Sequence, residues 1–461
     1  MGTRNLFDVP IVFCFLLTLL IFKLTCLGTN GFSIKLIPRY SIDSMLFPKN
    51  LSLLENHFRI AKLSKARALH FKSMSFVDAI NSTKQRIQAL QPKIEYNLGK
   101  LYIAQMDIGT PPYSALLLVD TGSDDTWVQG EGCENCFSIR DGNFNYHVSG
   151  TYHRLPCDDP LCVPKLCEGN FCRYENKYFD GSYTKGPIST ETFKFTKDGG
   201  GSISYSNVVF GVGLDNKNIL FAQPVQSQNI IAGLFGLGPG KRSILKQLEA
   251  DTDLRFSYCL PSWYDEPGTY TYLRFGKDAK ISGNDQVTIE ETPLIPGQNK
   301  YYVQVLKISV NGKPLPIDER VFQLRRGSRG GFIIDSGASI TFLVENAYRA
   351  VKNVIVEYLL RAYNWAPMPQ SNTPYDLCYN VVQTKYQPLP TLTIHFLGAK
   401  LELDADRIYR YVGENIFCML IKPTPAQGKN ILGAFQQTNY RFLFDLKTSY
   451  MYFVPEKCHN N

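Results

Sequence analysis

Hydrophobic and polar positions are patterned differently in three stretches of the chain. From Ile11 to Phe22 every residue is apolar except Thr18, with Arg4 ahead of the run and Lys23 closing it. Followed by the small residues Cys26 and Gly28, this run has the form of a secretory signal over residues 1–28. It is too short to span a bilayer comfortably, and no later stretch is apolar enough to cross one. Residues 51–89 are rich in Lys, Arg, Ala and Leu and contain neither Gly nor Pro, which predicts a mostly helical segment. From Tyr96 onward the texture changes to short runs of β-branched and aromatic residues punctuated by Gly, Pro, Asn and Asp. That is an all-β pattern, with helices expected only at Ser243–Leu248 and Glu345–Tyr358.

The β region repeats one device. Leu116-Leu-Leu-Val-Asp120-Thr-Gly-Ser is an apolar strand ending in an Asp on a tight turn, and Phe332-Ile-Ile-Asp335-Ser-Gly-Ala-Ser repeats it. Each copy has a downstream partner of two apolar residues before Gly, Leu234-Phe-Gly236 and Ile431-Leu-Gly433. Duplication of this kind predicts two related β lobes with a cleft between them. The expected division is a signal over 1–28, a propeptide over 29–95, an N-terminal lobe over 96–290 and a C-terminal lobe over 291–461. A linker is expected near Glu290–Gly297, where Pro and Gly cluster.

Charge narrows the list of partners. The chain carries 49 Lys+Arg against 41 Asp+Glu, but residues 1–95 hold 13 of the former and 5 of the latter. The remainder therefore has 36 of each, so the excess of +8 belongs to the leader and the segment after it. A nucleic-acid partner would require a basic patch on the folded body, and none is encoded there. Hydrophobic content of 44% and aromatic content of 13% are ample for buried cores, which excludes a disordered chain.

Beyond Cys14 and Cys26 in the signal there are ten cysteines: Cys133, Cys136, Cys157, Cys162, Cys167, Cys172, Cys259, Cys378, Cys418 and Cys458. Cys133-x-x-Cys136 has zinc-ligand spacing, but behind a signal an even set reads as a disulfide framework. No metal or cofactor is expected. The only glycosylation sequons, Asn50-Leu-Ser and Asn81-Ser-Thr, both fall in the basic segment.

An Asp at the end of a buried apolar strand is costly unless it is paired or hydrogen-bonded. One Asp-Thr-Gly-Ser is weak, since such turns often merely end a strand. Two in equivalent places are much stronger. Two carboxylates facing each other cannot both be charged, so they hold one proton between them. The ionised group can then take a proton from water attacking a peptide carbonyl while the neutral one donates to the carbonyl oxygen. At these residues the chain resembles the pepsin-like aspartic proteases, and more closely their plant nepenthesin-like branch. Gly31-Phe-Ser-Ile-Lys-Leu-Ile-Pro-Arg resembles the start of that branch's propeptide, and Asp120-Thr-Gly-Ser-Asp-Asp-Thr-Trp-Val-Gln its first catalytic motif. Cys133 to Cys172 resembles its cysteine-rich insert, Tyr178-Phe-Asp-Gly-Ser-Tyr-Thr-Lys-Gly its flap, and Ile431-Leu-Gly-Ala-Phe-Gln-Gln its closing loop.

The resemblance implies a bilobal fold and a secreted endopeptidase made as a zymogen and active in acid, with Asp120 and Asp335 catalytic. It implies that Tyr178 closes over substrate with Trp127 beneath it, that Thr121 and Ser336 anchor the two Asp loops, and that Gly122 and Gly337 admit close backbone approach. Ser123 is placed to donate a hydrogen bond to Asp120, whereas Ala338 at the matching place beside Asp335 has no donor. Expected bridges are Cys133–Cys136, Cys157–Cys172, Cys162–Cys167, Cys259–Cys458 and Cys378–Cys418, the nested pair from even spacing and the last two from resemblance. Phe179 stands where the flap has Gly, and Gly130 and Val212 stand where the branch has cysteines, as if one bridge were lost as a unit.

The partners expected are protein or peptide substrates, with the chain a monomer in the apoplast; the vacuole stays open. The rival reading is a non-catalytic binding protein of the same fold, similar to plant xylanase inhibitors; retention of both Asp motifs favours the enzyme. A nucleotide-binding loop at Gly236-Leu-Gly-Pro-Gly-Lys-Arg-Ser is excluded because Phe235 and Arg242 occupy positions that need Gly and Ser or Thr. No Gly-x-Ser-x-Gly elbow is present for a serine hydrolase.

Overall fold

The computed structural model describes residues 31–38, 52–77, 101–177, 183–196, 201–219, 229–262, 270–283, 287–370, 373–382, 387–424 and 428–458. The signal, Asn50, Asn81, Tyr178 and Phe179 lie outside the described residues. Most of the described chain is β-strand, and the longest sheet has 16 strands running from the C-terminal hairpin, through the middle of the molecule, into the N-terminal half. The Tyr440–Asp445 and Tyr450–Pro455 hairpin pairs with Arg255–Cys259, which leads to Thr271–Phe275. Aromatic stacking backs this seam, with Phe256 and Phe444 stacked at 4.9 Å between centroids. The expected linker is a strand over half its length. Glu290–Pro293 pairs with Tyr450–Pro455, because Thr292 turns inward while Glu291 stays in water.

Two stretches of the N-terminal segment are part of this body. Phe32–Pro38 buries Phe32, Ile34 and Leu36 on one face and Ser33 on the other, and it fills the gap between Thr271–Phe275 and Tyr102–Ile108. Leu53–Val77 is a helix, and its start is a reciprocal cap. The Ser52 hydroxyl accepts from the Glu55 N–H at 3.2 Å, and the Glu55 carboxylate accepts from the Ser52 N–H at 2.9 Å. Asn56, His57, Ile60, Ala61, Ser64 and Ala68 recur at helical spacing and are buried. His57 meets the Tyr375 hydroxyl at 3.0 Å, which ties the helix to the C-terminal half.

The duplicated device folds twice in the same way. Tyr113–Asp120 runs parallel to Ile231–Gly236, and Trp127–Gln129 flanks the latter antiparallel. In the second half Phe332–Ile334 runs parallel to Asn430–Leu432, and Thr341–Val344 flanks that strand antiparallel at Phe342. The chain thus leaves each Asp, turns, and returns on the far side of a strand supplied by the downstream apolar-apolar-Gly sequence. The expected helices are present as Ile244–Gln247 and as Glu345–Tyr363, the latter ended by Asn364 in the left-handed conformation.

All ten body cysteines are bridged, three pairs as expected: Cys133–Cys136, Cys259–Cys458 and Cys378–Cys418. The nested pair is corrected to Cys157–Cys167 and Cys162–Cys172. Even spacing suggested the nested pair, and burial overrides it. The turn at Asp159–Cys162 drives Cys162 inward toward the fully buried Cys172, while Cys157 and Cys167 stay on the outer face of the hairpin. Gly130 and Val212 do face each other, since a Cβ on Gly130 would lie 2.4 Å from the Val212 Cγ1.

Candidate active site

The two Asp turns meet at the centre of the molecule. The Thr121 N–H donates to the Ser336 Oγ at 3.1 Å, and the Ser336 N–H donates to the Thr121 Oγ1 at 2.9 Å. Each hydroxyl then donates across to the other half, Thr121 to the Ile334 carbonyl and Ser336 to the Val119 carbonyl, both at 3.3 Å. This reciprocal set fixes one turn against the other without any charge. A Cβ on Gly122 would lie 2.7 Å from the Asp335 Oδ1, and one on Gly337 would lie 2.4 Å from the Asp120 Oδ1. Each motif's glycine is therefore pressed against the other motif's carboxylate, and any side chain there would push the pair apart.

Both carboxylates are buried, Asp120 at 1% and Asp335 at 0% exposure, yet their surroundings differ. Asp120 accepts from the Gly122 N–H at 2.8 Å and from the Ser123 hydroxyl at 2.5 Å. Asp335 accepts from the Gly337 N–H at 2.9 Å, and Ala338, fully buried, offers nothing more from its side chain. Burial pushes both groups up. At Asp120 that push is outweighed by the Arg67 charge and by the Ser123 and Gly122 donors, which hold it below the ordinary carboxylate range. At Asp335 burial and the neighbouring charge of Asp120 prevail over Arg67, so it is raised. The donors around the pair thus favour the ionised form at Asp120 more than at Asp335.

Arg67, from the basic helix, enters the space between the two groups. Its Nε donates to the Asp335 Oδ2 at 2.8 Å and its Nη2 to the Asp335 Oδ1 at 3.0 Å, and the same Nη2 donates to the Asp120 Oδ1. Burial alone would lower its pKa, but the two carboxylates more than offset this and raise it. The sequence marked this stretch as basic and as an expected propeptide but did not single out Arg67 among Lys62, Lys65 and its other neighbours.

Trp127 is buried behind the first Asp strand, edge-on to Phe137 at 6.3 Å between centroids. Tyr178, expected above it, lies outside the described residues. The glycine-rich run at 236–240 proves to wrap the first Asp turn. The Gly238 N–H donates to the Ser123 carbonyl at 2.8 Å and the Gly240 N–H to the Asp124 Oδ1 at 2.7 Å. Arg242 forks onto Asp125 at 2.7 and 2.8 Å. Its donors thus serve a carbonyl and carboxylates of the protein itself. The one cluster of metal-type ligands among the described residues, Cys157, Cys162 and Cys167, consists of bridged sulfurs, which have no thiolate to offer an ion.

The family descriptions that match are Xylanase inhibitor N-terminal over residues 102–277 and Xylanase inhibitor C-terminal over residues 300–455. The chain is 32% identical over 367 residues to aspartic proteinase nepenthesin-1 of Nepenthes gracilis, covering 77% of this chain and 78% of that protein. It is 31% identical over 424 residues to aspartic proteinase nepenthesin-2 of the same plant, covering 91% and 90% respectively. Among solved structures it resembles edgp, with a TM-score of 0.62 at 19% identity, covering 78% of this chain and 92% of that one. That likeness concerns the fold.

Proposed function

The chain belongs to the nepenthesin-like aspartic proteinases, and from that membership we propose that Asp120 and Asp335 form its catalytic dyad and that residues 29–95 hold it latent. It is an aspartic-type endopeptidase acting on proteins or peptides. Asp120, ionised, takes a proton from a water held between the two carboxylates as that water attacks the peptide carbonyl. Asp335, neutral, donates to the carbonyl oxygen, so no isolated charge builds up on it. Thr121 and Ser336 keep the turns in register through the reaction, and Gly122 and Gly337 keep the carboxylates close enough to share one proton.

The observation that carries the latency reading is Arg67 lying on both carboxylates. A guanidinium there excludes the water and blocks the space that a peptide must enter. Acid weakens the clamp by protonating the carboxylates it binds, and cleavage near Lys84–Leu98 then removes the segment together with both sequons. Secretion through the signal at 1–28, with activity in an acidic extracellular or vacuolar space, completes the reading. The test is to acidify purified precursor and profile cleavage of a peptide library with and without pepstatin, with the mass of the active species measured alongside. Cleavage that pepstatin blocks, by a species lacking residues 29–80, supports the proposal. No cleavage, or an active species that still carries that segment, defeats it.

A further inference from the structure

The cysteine-rich insert takes no part in the reaction at Asp120 and Asp335, yet it helps to wall a cavity of about 520 Å³, a size typical of ligand sites. Tyr146 lines this cavity, with the His147 ring 4.1 Å and the Tyr152 ring 5.0 Å from its own, between centroids. The insert and its flanks supply Arg154, Glu168 and Arg173. Arg173 and Pro187 are paired residues at the root of the hairpin formed by Phe171–Lys177 and Tyr183–Thr196.

The two arginines differ in what they already hold. Arg173 is ion-paired with Glu168. Arg154 has no carboxylate partner among the described residues, and its guanidinium lies over the Phe171 ring, 4.4 Å from the centroid. That contact engages the cation through its charge and uses none of its five N–H donors. The buried Glu191 takes its donors from the Ser149 and Thr151 hydroxyls and the Thr192 N–H, so it does not serve Arg154. The backbone under Arg154 is fixed. His153–Arg154 pairs with Ser189 and Thr190, the Cys172 N–H donates to the Leu155 carbonyl at 2.8 Å, and the bridges Cys157–Cys167 and Cys162–Cys172 tie the insert together. Among the described residues eight large apolar side chains are exposed, and two of them flank this cavity. Val148, at 60%, stands between the lining residues His147 and Ser149, and Phe171, at 38%, carries Arg154. The cavity thus presents one cation without a carboxylate beside uncovered apolar surface.

We propose that this cavity is a secondary binding site for the protein or peptide being cleaved, and that it takes an acidic residue with apolar neighbours, the carboxylate on Arg154. The proposal rests on the endopeptidase reading and adds a site away from Asp120 and Asp335. A small free acid would satisfy Arg154 but leave Val148 and Phe171 uncovered, whereas a peptide segment covers all three. The hairpin relates the cavity to the cleft. Arg173 stands four residues before Lys177, about 14 Å of strand, and residues 178–182 that follow hold the sequence matched to the flap. The acidic residue therefore belongs about four or more residues from the bond that is cut.

The test uses peptides with one cleavable core and a Phe-Glu-Phe extension, set about four to eight residues to either side, against the same peptides with Phe-Gln-Phe. At about pH 5, where the Glu side chain is ionised, the best-placed Glu peptide should have a KM roughly three- to tenfold below its Gln partner, with kcat the same. That ratio should fall to one in Arg154→Gln and recover in part in Arg154→Lys. Glu168→Gln, which releases Arg173 from its ion pair, should enlarge it. The ratio should also fade below about pH 4, as the peptide's Glu takes up a proton. A merely structural role would change both peptides alike and leave their ratio in place. Equal KM values in wild type at every spacing, or a ratio that survives in Arg154→Gln, overturn the proposal. Titration of the full-length precursor with acetyl-Phe-Glu-Phe-amide reads the cavity without turnover, since Arg67 still lies on both carboxylates. Binding there with no cleavage of any peptide by the acidified protein would overturn the endopeptidase reading and not the cavity; cleavage with no such binding would overturn the cavity alone.

Discussion

Replacing Arg67 by Met in the precursor keeps a long apolar stem and removes only the guanidinium. Three charge-assisted hydrogen bonds go with it, two to Asp335 and one to Asp120. Removing one partner of a buried ion pair costs about 3–5 kcal/mol, because the other charge is left behind. Here the carboxylates can take up a proton in compensation, so a loss of about 2–3 kcal/mol in docking of the helix is the better figure near neutral pH. At about 1.4 kcal/mol per decade this is roughly a 30- to 150-fold rise in the undocked population. Asp120 is depressed while Arg67 is docked, so the clamp's contribution is complete above the pKa of the undocked group and is lost as pH falls through the docked one. Weakening the clamp therefore moves the midpoint of acid conversion to higher pH. The assay incubates purified precursor across a pH series and measures conversion by mass, with capture on immobilised pepstatin at each point. Arg67→Lys should fall between wild type and Met, since one ammonium cannot fork onto both carboxylates. A midpoint unchanged in Arg67→Met would refute the reasoning, because the clamp would then contribute nothing to latency.

Asp120→Asn and Asp335→Asn in the mature enzyme should each lower kcat by at least about a thousandfold with melting temperature retained, as measured by peptide cleavage and thermal unfolding. Ala338→Ser supplies Asp335 with the donor that Asp120 has in Ser123, so the alkaline limb of its pH profile should move to lower pH by up to about one unit; an unmoved limb would show that the hydroxyl does not reach the carboxylate. Gly130→Cys with Val212→Cys should form a bridge detectable by non-reducing peptide mapping and stabilise the body by about 2–4 kcal/mol in thermal unfolding. Free thiols in the folded double variant would count against the observed facing of these positions. Peptide mapping of the unmodified protein should recover Cys157–Cys167 and Cys162–Cys172, the pairing that burial selects.

The parts of the site that were legible in the sequence are those whose chemistry repeats. Asp120 and Asp335 declared themselves because each ends an apolar strand, sits before a glycine and has a matching downstream strand. The crossed hydroxyls of Thr121 and Ser336 follow from the same duplication. What was not legible depends on which of several equivalent residues three-dimensional packing selects. Lys62, Lys65 and Arg67 lie on one helix, and only the depth at which the helix docks decides that Arg67 reaches the carboxylates. Cys157, Cys162, Cys167 and Cys172 are five residues apart, which suggested nested bridges but does not exclude interleaved ones, whereas burial of Cys162 and Cys172 selects the latter. The strand at Glu290–Pro293 hid behind its Pro and Gly because an edge strand needs only one buried face.

The matching family descriptions carry the word inhibitor, and the residues themselves say why this chain is an enzyme. The fold is secured by groups that hold no charge: the glycines at 122 and 337, the crossed hydroxyls, and the strands threading between each Asp and its return. None of these requires a carboxylate. An amide at 120 or 335 could still accept the Gly122 or Gly337 N–H, more weakly than a carboxylate, and it would avoid burying an ionisable group. Two carboxylates at 1% and 0% exposure are thus a standing cost to the body, which the ion pairs with Arg67 offset. A purely binding protein of this architecture would be more stable without them. Their presence, with unequal donors that favour the ionised form at Asp120 more than at Asp335, is what the proposed reaction requires.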